Sequence, residues 1–579
     1  MREHRFYFAY RDGVKRYINR WDLLLLLLVI SILFFLGWGS KQMASPYQLG
    51  EPLPIYLDPS WLPFYALRTV LRMFIALAIS LLFTFIVGTL AAKSRRAEQI
   101  IIPGIDILQS VPVLSFLSIT ITGFIALFPG SLLGPECASI FAIFTAQVWN
   151  ITLGFYQSLK TLPHDLMEAA AMFQLSPWQR FWKVEVPFSM SSLLWNMMMS
   201  MSASWFFVVL SEAIVVSHQS IRLPGVGSYI ALAIAESNLA AVGYAILTMV
   251  IVIFLYDQIL FRPLIAWSEK FKMEQSADEE EYQSWLIDLI RGSRLVKRIG
   301  NMFAILKDQF VNMPILIHSR PKAIKEINYK WRKPLDWLWN TVIFTFLAFG
   351  GWLLIRYILS EVSADEILHV LLLGSATGTR VIILIILSSL IWVPVGVWVG
   401  LRPKLAQKIQ PVIQFVAAIP ANLFYPLFVI AIVHFHLNVE IWVTPLMILG
   451  TQWYILFNVI AGASTIPRDL YLAADNFGVK GWQWWKRLAL PGIFPFYITG
   501  AITAAGGAWN ASIVAEWVSW GNVTLRATGL GEYIQANTLA GDFPKIALGT
   551  AMMCIYVLIF NRFIWRPLYR LAEERYNIN

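Results

Sequence analysis

Residues 163–187 read PHDLMEAAAMFQLSPWQRFWKVEVP, and residues 467–491 read PRDLYLAADNFGVKGWQWWKRLALP. Both stretches open on Pro-x-Asp-Leu, carry an Ala-Ala pair six residues after that proline, and close on a hydrophobic residue followed by proline. The register extends outward from them. A spacing of 304 residues relates Trp149 to Trp453, Trp178 to Trp482, Glu212 to Glu516, Gly225 and Gly227 to Gly529 and Gly531, and Arg262-Pro263 to Arg566-Pro567. Upstream, a spacing of 308 relates Thr69, Arg72, Gly88, Gln99, Pro103 and Pro112 to Thr377, Arg380, Gly396, Gln407, Pro411 and Pro420. Chance does not hold such a register through one small insertion, so the chain is an internal duplication.

The 579-residue chain is 58% hydrophobic and only 14% charged, against roughly 25% charged residues in a soluble globular domain. With a mean hydropathy of +0.62, this excludes a soluble enzyme, a disordered regulator and a nucleic-acid binder as descriptions of the whole. The formal charge of +10 gathers as Lys and Arg between apolar runs, as expected of cytoplasmic loops. Cys137 and Cys554 lie far apart with no Cys-x-x-Cys, so neither a disulfide framework nor a metal site is expected.

At about 20 helical residues per crossing, the apolar runs predict an all-α integral membrane protein of twelve transmembrane helices. Six fall near 23–39, 65–91, 100–128, 136–158, 189–216 and 239–262, and six near 337–359, 374–400, 409–435, 440–462, 493–518 and 544–566. Arg2, Arg5, Arg11, Lys15, Arg16 and Arg20 precede the first run, and no A-x-A cleavage site follows it, so it reads as a span with a cytoplasmic N-terminus. Placing both termini in the cytoplasm puts Lys93, Arg95 and Arg96, then Lys160, Arg180 and Lys183, then Arg262 and Lys270 inside, with a matching basic series in the second half. An even number of spans per copy makes the two six-helix repeats parallel, an arrangement that places a pathway between the halves. The organisation is a first repeat at 1–267, a charged cytoplasmic linker at 268–336 and a second repeat at 337–579. In the linker, Trp285, Leu286, Leu289, Ile290, Val296 and Ile299 face away from Arg291, Arg294, Lys297 and Arg298. That pattern suits an amphipathic helix on anionic membrane lipid, and the linker is expected to tether the halves.

The two quoted loops carry the function. In the first, Asp165 and Glu168 have the spacing of a capping box, and Ala169-Ala170 give a helix with small side chains on which another protein can pack closely. In the second, Leu472 stands in place of the Glu, but Gly478 offers a left-handed helix stop that Gln174 lacks. One copy is expected to be better capped at its start and the other at its end. Glu168-Ala169-Ala170 followed by Val186-Pro187, and Leu472-Ala473-Ala474 with Gly478 and Leu490-Pro491, resemble the "EAA" loop of ATP-binding-cassette (ABC) importer permeases. Gln174 and Leu472 depart from the family's Gly and Glu. The resemblance covers roughly 64–267 and 371–571. Thr-x-x-Arg at Arg72 and Arg380, the Ser/Ala-Glu pairs at Glu212 and Glu516, and the following Gly-x-Gly resemble the duplicated, fused type of the nitrate/sulfonate/taurine branch.

The resemblance implies the type I ABC importer permease fold, with residues 163–187 and 467–491 as coupling loops. Asp165, Glu168, Ala169, Ala170 and Gln174, with Asp469, Ala473, Ala474 and Gly478, would then dock a separate cytoplasmic ATPase, expected in two copies. The chain has no Gly-Lys dipeptide and hence no phosphate loop. ATP and Mg would be bound by that partner, with no cofactor in this chain and no catalytic residue. An extracytoplasmic binding protein is a possible further partner, nucleic acid is not expected, and the location implied is a prokaryotic plasma membrane.

Arg72 and Arg380 sit several residues inside equivalent spans. They admit two readings: guanidinium groups flanking an anion pathway, or structural ion pairs with Glu212 and Glu516. Those glutamates read either as gate or partner contacts or as solvated helix ends. Asp106 and Asp257 near inner span ends suit interfacial packing, and His434 with His436 lacks a third ligand and suits an outer loop. The expected function is import of a small anion such as nitrate, a sulfonate or bicarbonate, by alternating access driven by the partner's ATP hydrolysis. The alternative is a secondary transporter or channel that works without an ATPase.

Overall fold

The computed structural model describes residues 37–47 in part, then 53–216, 219–268, 294–313 and 329–576. Among them nine helices are long and apolar enough to cross a membrane: Pro59–Lys93, Leu133–Lys160, Pro177–Glu212, Leu239–Ser268, Thr341–Glu361, Ala364–Gly400, Val439–Ser464, Trp482–Ala515 and Phe543–Ala572. A bent pair, Lys404–Ala418 and Ala421–His434, makes ten if it counts as one crossing. The expected span at 23–39 lies almost wholly outside the described residues, as does the expected amphipathic stretch from Trp285 to Ile290.

Two of the twelve expected spans are not single helices. The run at 100–128 is divided between Arg95–Ser110 and Val113–Leu127, and the run at 409–435 is bent by 68° between its two parts. Proline causes both breaks. It disfavours helical backbone in the residue before it, and Ile419, just before Pro420, is extended at φ −70°, ψ 123°. Pro112 and Pro420 then start the next segment with nearly equal backbone angles. The helix Arg95–Ser110 also opens on Arg95, Arg96 and Glu98, which suits a segment along the membrane surface better than one within it.

The expectation of an all-α chain is corrected at one end of the bundle. The helices Val186–Glu212 and Leu490–Ala515 stop short of the runs read from sequence, and each passes into a two-stranded hairpin. Ala213–Val216 pairs with Gln219–Arg222, and Trp517–Trp520 with Val523–Arg526, in matching antiparallel registers. After each hairpin comes a short helix, Val226–Ala235 or Leu530–Ala540. Asn238 and Asp542, which are related by the duplication, then cap the starts of Leu239–Tyr256 and Phe543–Phe560.

Each half has its own apolar core, and the broken helices cross between them. Phe415, Ile419 and Phe424 of the second half pack on the first half's core, while Leu114 of the first packs on the second's. The exchange is sealed where the Val113 N–H donates to Asn510 Oδ1 at 2.8 Å and where Phe254 meets Phe415 edge-on at 6.0 Å. Outward-facing side chains such as Leu82, Ile86, Leu247, Ile251, Leu390 and Ile391 are exposed, leaving an apolar surface suited to lipid.

The short post-hairpin helices pack so closely that only glycine fits at their second residue. A Cβ on Gly227 would stand 2.0 Å from the Val209 carbonyl oxygen, and one on Gly531 2.3 Å from that of Ser512. Gly227→Ala and Gly531→Ala are each expected to destabilise the protein by about 1–3 kcal/mol through overpacking. Thermal unfolding in detergent checks this, with Gly243→Ala, where the space is open, expected to leave the melting temperature unchanged.

Candidate functional site

The two quoted loops fold as equivalent nine-residue helices, His164–Met172 and Arg468–Asn476. Their starts are not capped as the sequence suggested. Pro163 and Pro467 occupy the cap positions with the same extended backbone, and neither helix has a side-chain cap. Asp165 and Asp469 lie in the first turns, where negative charge complements the helix dipole. Glu168 pairs with His164 one turn earlier, Nδ1 to Oε1 at 3.1 Å, instead of reaching back to the backbone.

Their ends correct the second expectation. Gln174 adopts the left-handed conformation at φ +50°, as Gly478 does at φ +62°. In both copies the next residue closes the helix with a six-residue turn, Leu175 N to Ala170 O at 3.1 Å and Val479 N to Ala474 O at 2.8 Å. Sequence alone assigned that stop to Gly478, yet the backbone hydrogen bonds impose it on Gln174 as well. Ala169, Ala473 and Ala474 are half-buried and Ala170 is buried, so each alanine pair seats its helix on the body of the protein. What faces outward includes Met172, Phe173 and Phe477, the two phenylalanines 78% and 84% exposed. Sequence reading missed these two, although Phe173 and Phe477 keep the spacing of 304.

The supports beneath the two helices differ. Glu185 joins Lys93, at the end of the long helix Pro59–Lys93, to Arg180 in the first loop, at 2.8 and 2.9 Å. The second half has Leu401 and Ala489 at those places. The linker helix Arg294–Val311 also docks on the first loop. Phe310 stacks edge-on against Trp178 and Trp182, the Trp178 indole donates to the Phe310 carbonyl at 3.2 Å, and Gln179 donates to Asn312 at 3.0 Å. Trp482, the counterpart of Trp178, is exposed.

Arg72, Arg380, Glu212 and Glu516 come together in pairs, one pair per half, and all four are buried. Glu212 accepts from the Gly227 N–H at 2.7 Å and Thr69 Oγ1 at 2.7 Å, and pairs with Arg72 Nη1 at 2.6 Å. Glu516 repeats this with Gly531 at 2.8 Å, Thr377 at 2.9 Å and Arg380 at 2.8 Å. A Cβ on Gly225 or Gly529 would strike the same carboxylate, which explains the Gly-x-Gly. Two further acids, Glu136 and Glu440, also 304 apart, complete the clusters and were not singled out by sequence. Glu136 holds Arg72 through two hydrogen bonds of 2.6 and 2.8 Å and also pairs with Arg68 at 2.5 Å, so the first cluster sets two cations against two carboxylates. Glu440 pairs with Arg380 and accepts from Thr528.

The internal space lies elsewhere. A cavity of about 450 Å³ sits between the halves, and none of the four predicted pathway residues is among the described residues lining it. The duplication places equivalent positions on both walls: Trp149 and Trp453, Asn150 and Tyr454, Phe206 and Asn510. The guanidinium groups of Arg72 and Arg380 are committed to carboxylates, so the geometry supports their reading as structural ion pairs.

Equivalent helices presented at one end, an interlocked pair of bundles and a cavity between them define a multi-pass membrane transport component. A family model described as "Binding-protein-dependent transport system inner membrane component" matches twice, at residues 81–261 and 392–566. The chain belongs to that family, whose members are transport permeases of ABC systems and not enzymes. It is 26% identical over 273 residues to the bicarbonate transport system permease protein CmpB of Synechococcus elongatus, covering 42% of this chain and 92% of that one. It is 24% identical over 302 residues to the trimethylamine N-oxide transport system permease protein TmoV of Pelagibacter ubique, covering 51% of this chain and 38% of that one. To the taurine transport system permease protein TauC of Escherichia coli it is 26% identical over 185 residues, or 32% of this chain and 62% of that one.

Arg72→Met leaves the buried Glu212 without its cation and Glu136 with Arg68 alone, and is expected to destabilise the protein by roughly 3–5 kcal/mol, lowering folded yield and melting temperature. Arg380→Met is expected to cost less, because Glu440 is half exposed to solvent. Folded variants with unchanged melting temperatures that had lost solute uptake would restore the pathway reading.

Proposed function

We propose that this chain supplies both transmembrane halves of an ATP-driven importer, with the helices His164–Met172 and Arg468–Asn476 as the handles a separate ATPase moves. The observation that carries this reading is the pair of exposed phenylalanines, Phe173 and Phe477, at matching places on two equivalent helices. An apolar ring left in water at both copies of a polar loop suits a partner that binds the two loops in the same way. Asp165, Glu168, Ala169, Ala170 and Gln174, with Asp469, Ala473, Ala474 and Gly478, shape those helices. Two cytoplasmic ATPase subunits, holding ATP and Mg, would then face the two loops.

Alternating access follows from the interlocked architecture. When the ATPase subunits close they draw the two helices together, and each drags the long helix that follows it, Val186–Glu212 or Leu490–Ala515. Both helices line the central cavity, so its opening changes with the state of the motor. Coupling requires that the loops bind the motor's states with different affinity. The proposed solute is small and carries an anionic oxygen. Bicarbonate, the sulfonate of taurine and the oxygen of trimethylamine N-oxide, the solutes in the relatives' names, share that chemistry. A largely apolar cavity that carries amides, hydroxyls and indoles, with no carboxylate among its described lining residues, suits it. The family's description, binding-protein-dependent, supports delivery by an extracytoplasmic binding protein. The basic loops support both termini in the cytoplasm, and the prokaryotic sources of the relatives support a plasma-membrane location.

The double variant Phe173→Asp with Phe477→Asp is expected to fold, since both rings are exposed, and to weaken ATPase binding about tenfold or more, as loss of two interface anchors does. Copurification with the ATPase and ATP-dependent uptake in proteoliposomes measure this. Uptake at full rate in vesicles containing this chain alone would overturn the proposal in favour of a secondary transporter or channel.

A further inference from the structure

Among the charged positions at which the duplication is broken, Asp257/Asn561 is one where the second copy lines the cavity. In the first half the helix Leu239–Tyr256 runs through a π-helical turn, Asp257–Phe261, into Arg262–Ser268. A π-turn brings residues five apart onto one face, and Arg262 there pairs with Asp257, Nε to Oδ2 at 3.2 Å. The second half repeats the turn at Asn561–Trp565 and the arginine at Arg566. Asp257, however, is replaced by Asn561, which has no charge to offer. Among the described residues Arg566 has no carboxylate partner, and the side chain is exposed.

Arg262 does not line the central cavity, whereas Asn561, Trp565 and Arg566 do. Arg566 is the only side chain carrying a formal charge at neutral pH among the described residues of that lining. It stands at the end of the cavity nearer the coupling helices, because Leu490–Ala515 runs from the second coupling loop to the hairpin, and Phe543–Phe560 runs back from the hairpin end to reach Arg566. An arginine presents a planar fork of donors matched to two oxygens of one anion. The Asn561 amide beside it adds a neutral donor, and the buried Trp565 closes the space behind.

We propose that Arg566 and Asn561 form a binding station for a small oxyanion, nitrate or a sulfonate, at the coupling-helix end of the cavity, present in the second half only. The inference rests on the transport reading above for its use, since an anion crossing the cavity meets this cation last on its way in. The station itself requires only the cavity and a guanidinium with no carboxylate partner among the described residues.

The test uses the full chain in lipid nanodiscs without any ATPase and reads phenylglyoxal modification of Arg566 by mass spectrometry. A site with a Kd of roughly 25 mM would slow labelling about threefold at about 50 mM nitrate or methanesulfonate, compared with gluconate at equal ionic strength. Arg262 in the same sample is expected to show no protection. Asn561→Asp, which rebuilds the ion pair of the first half, is expected to abolish the protection of Arg566 while the chain stays folded. Asp106→Asn, on the helix Arg95–Ser110 that supplies the cavity-lining Gln109, is expected to leave the protection ratio unchanged. Equal labelling in all salts would overturn the proposal, as would protection that survives Asn561→Asp or that strengthens several-fold in Asp106→Asn. Because the assay contains no motor, its failure leaves the importer reading standing. Protection with no ATP-dependent uptake in the reconstituted complex would leave the station standing and remove its transport role.

Discussion

In each half a carboxylate rests on the first turn of a short helix, and an arginine rests on that carboxylate. Glu212 takes the free N–H of Gly227 while Arg72 and Thr69 approach from the long helix Pro59–Lys93. Glu516, Gly531, Arg380 and Thr377 do the same in the second half. A buried charge is expensive wherever it is not answered by charge and hydrogen bonds, so this contact has one satisfied geometry and few tolerable alternatives. It joins three elements that are distant in sequence: the long first helix, the helix that follows the coupling loop, and the short helix after the hairpin. Glu136 and Glu440 add a fourth, the helices Leu133–Lys160 and Val439–Ser464. The relative position of those helices at the hairpin end of the bundle is therefore fixed by ion pairs.

This contact also explains why sequence reading found its parts without finding the whole. Thr-x-x-Arg, the Ser/Ala-Glu pair and Gly-x-Gly stood out singly because the duplication printed each twice. The arginine–glutamate pairing was one of two readings open from sequence, but spacing alone could not choose it or bring the Gly-x-Gly to the same carboxylate. Glu136 and Glu440 carried the same signature and drew no notice, since an acid at the start of an apolar run reads as a helix end near water. Glu440 fits that reading and is half exposed, but Glu136 does not.

Helix count and break points followed from hydropathy less well than from proline. The runs at 100–128 and 409–435 are apolar enough to look like spans, and only the backbone requirement at Pro112 and Pro420 divides them. The hairpins after Glu212 and Glu516 were hidden for a different reason. Ala213–Val216 and Trp517–Trp520 are as apolar as the helices they follow, so composition could not mark where helix gives way to strand. At Gln174 local propensity and tertiary demand conflict. A residue that disfavours the left-handed conformation adopts it because the closing hydrogen bonds of the coupling helix require it.

A transporter built from two identical subunits must present the same residue on both sides of its pathway. Fusion of the copies removes that constraint, and the positions that have diverged show where it mattered. The ion-pair contact and the two nine-residue loop helices with their exposed phenylalanines kept one geometry in both halves. Support beneath the handles did not keep it. The first loop is held by Lys93, Arg180 and the linker residues Phe310 and Asn312, whereas Leu401 and Ala489 leave the second without the ion pair. The cavity walls did not keep it either, since Phe206 is matched by Asn510 and Asn150 by Tyr454 at equivalent lining positions. A solute with a charged end and a neutral end has no two-fold axis of its own. Matching it requires walls that differ, and a single chain carrying both halves supplies such walls.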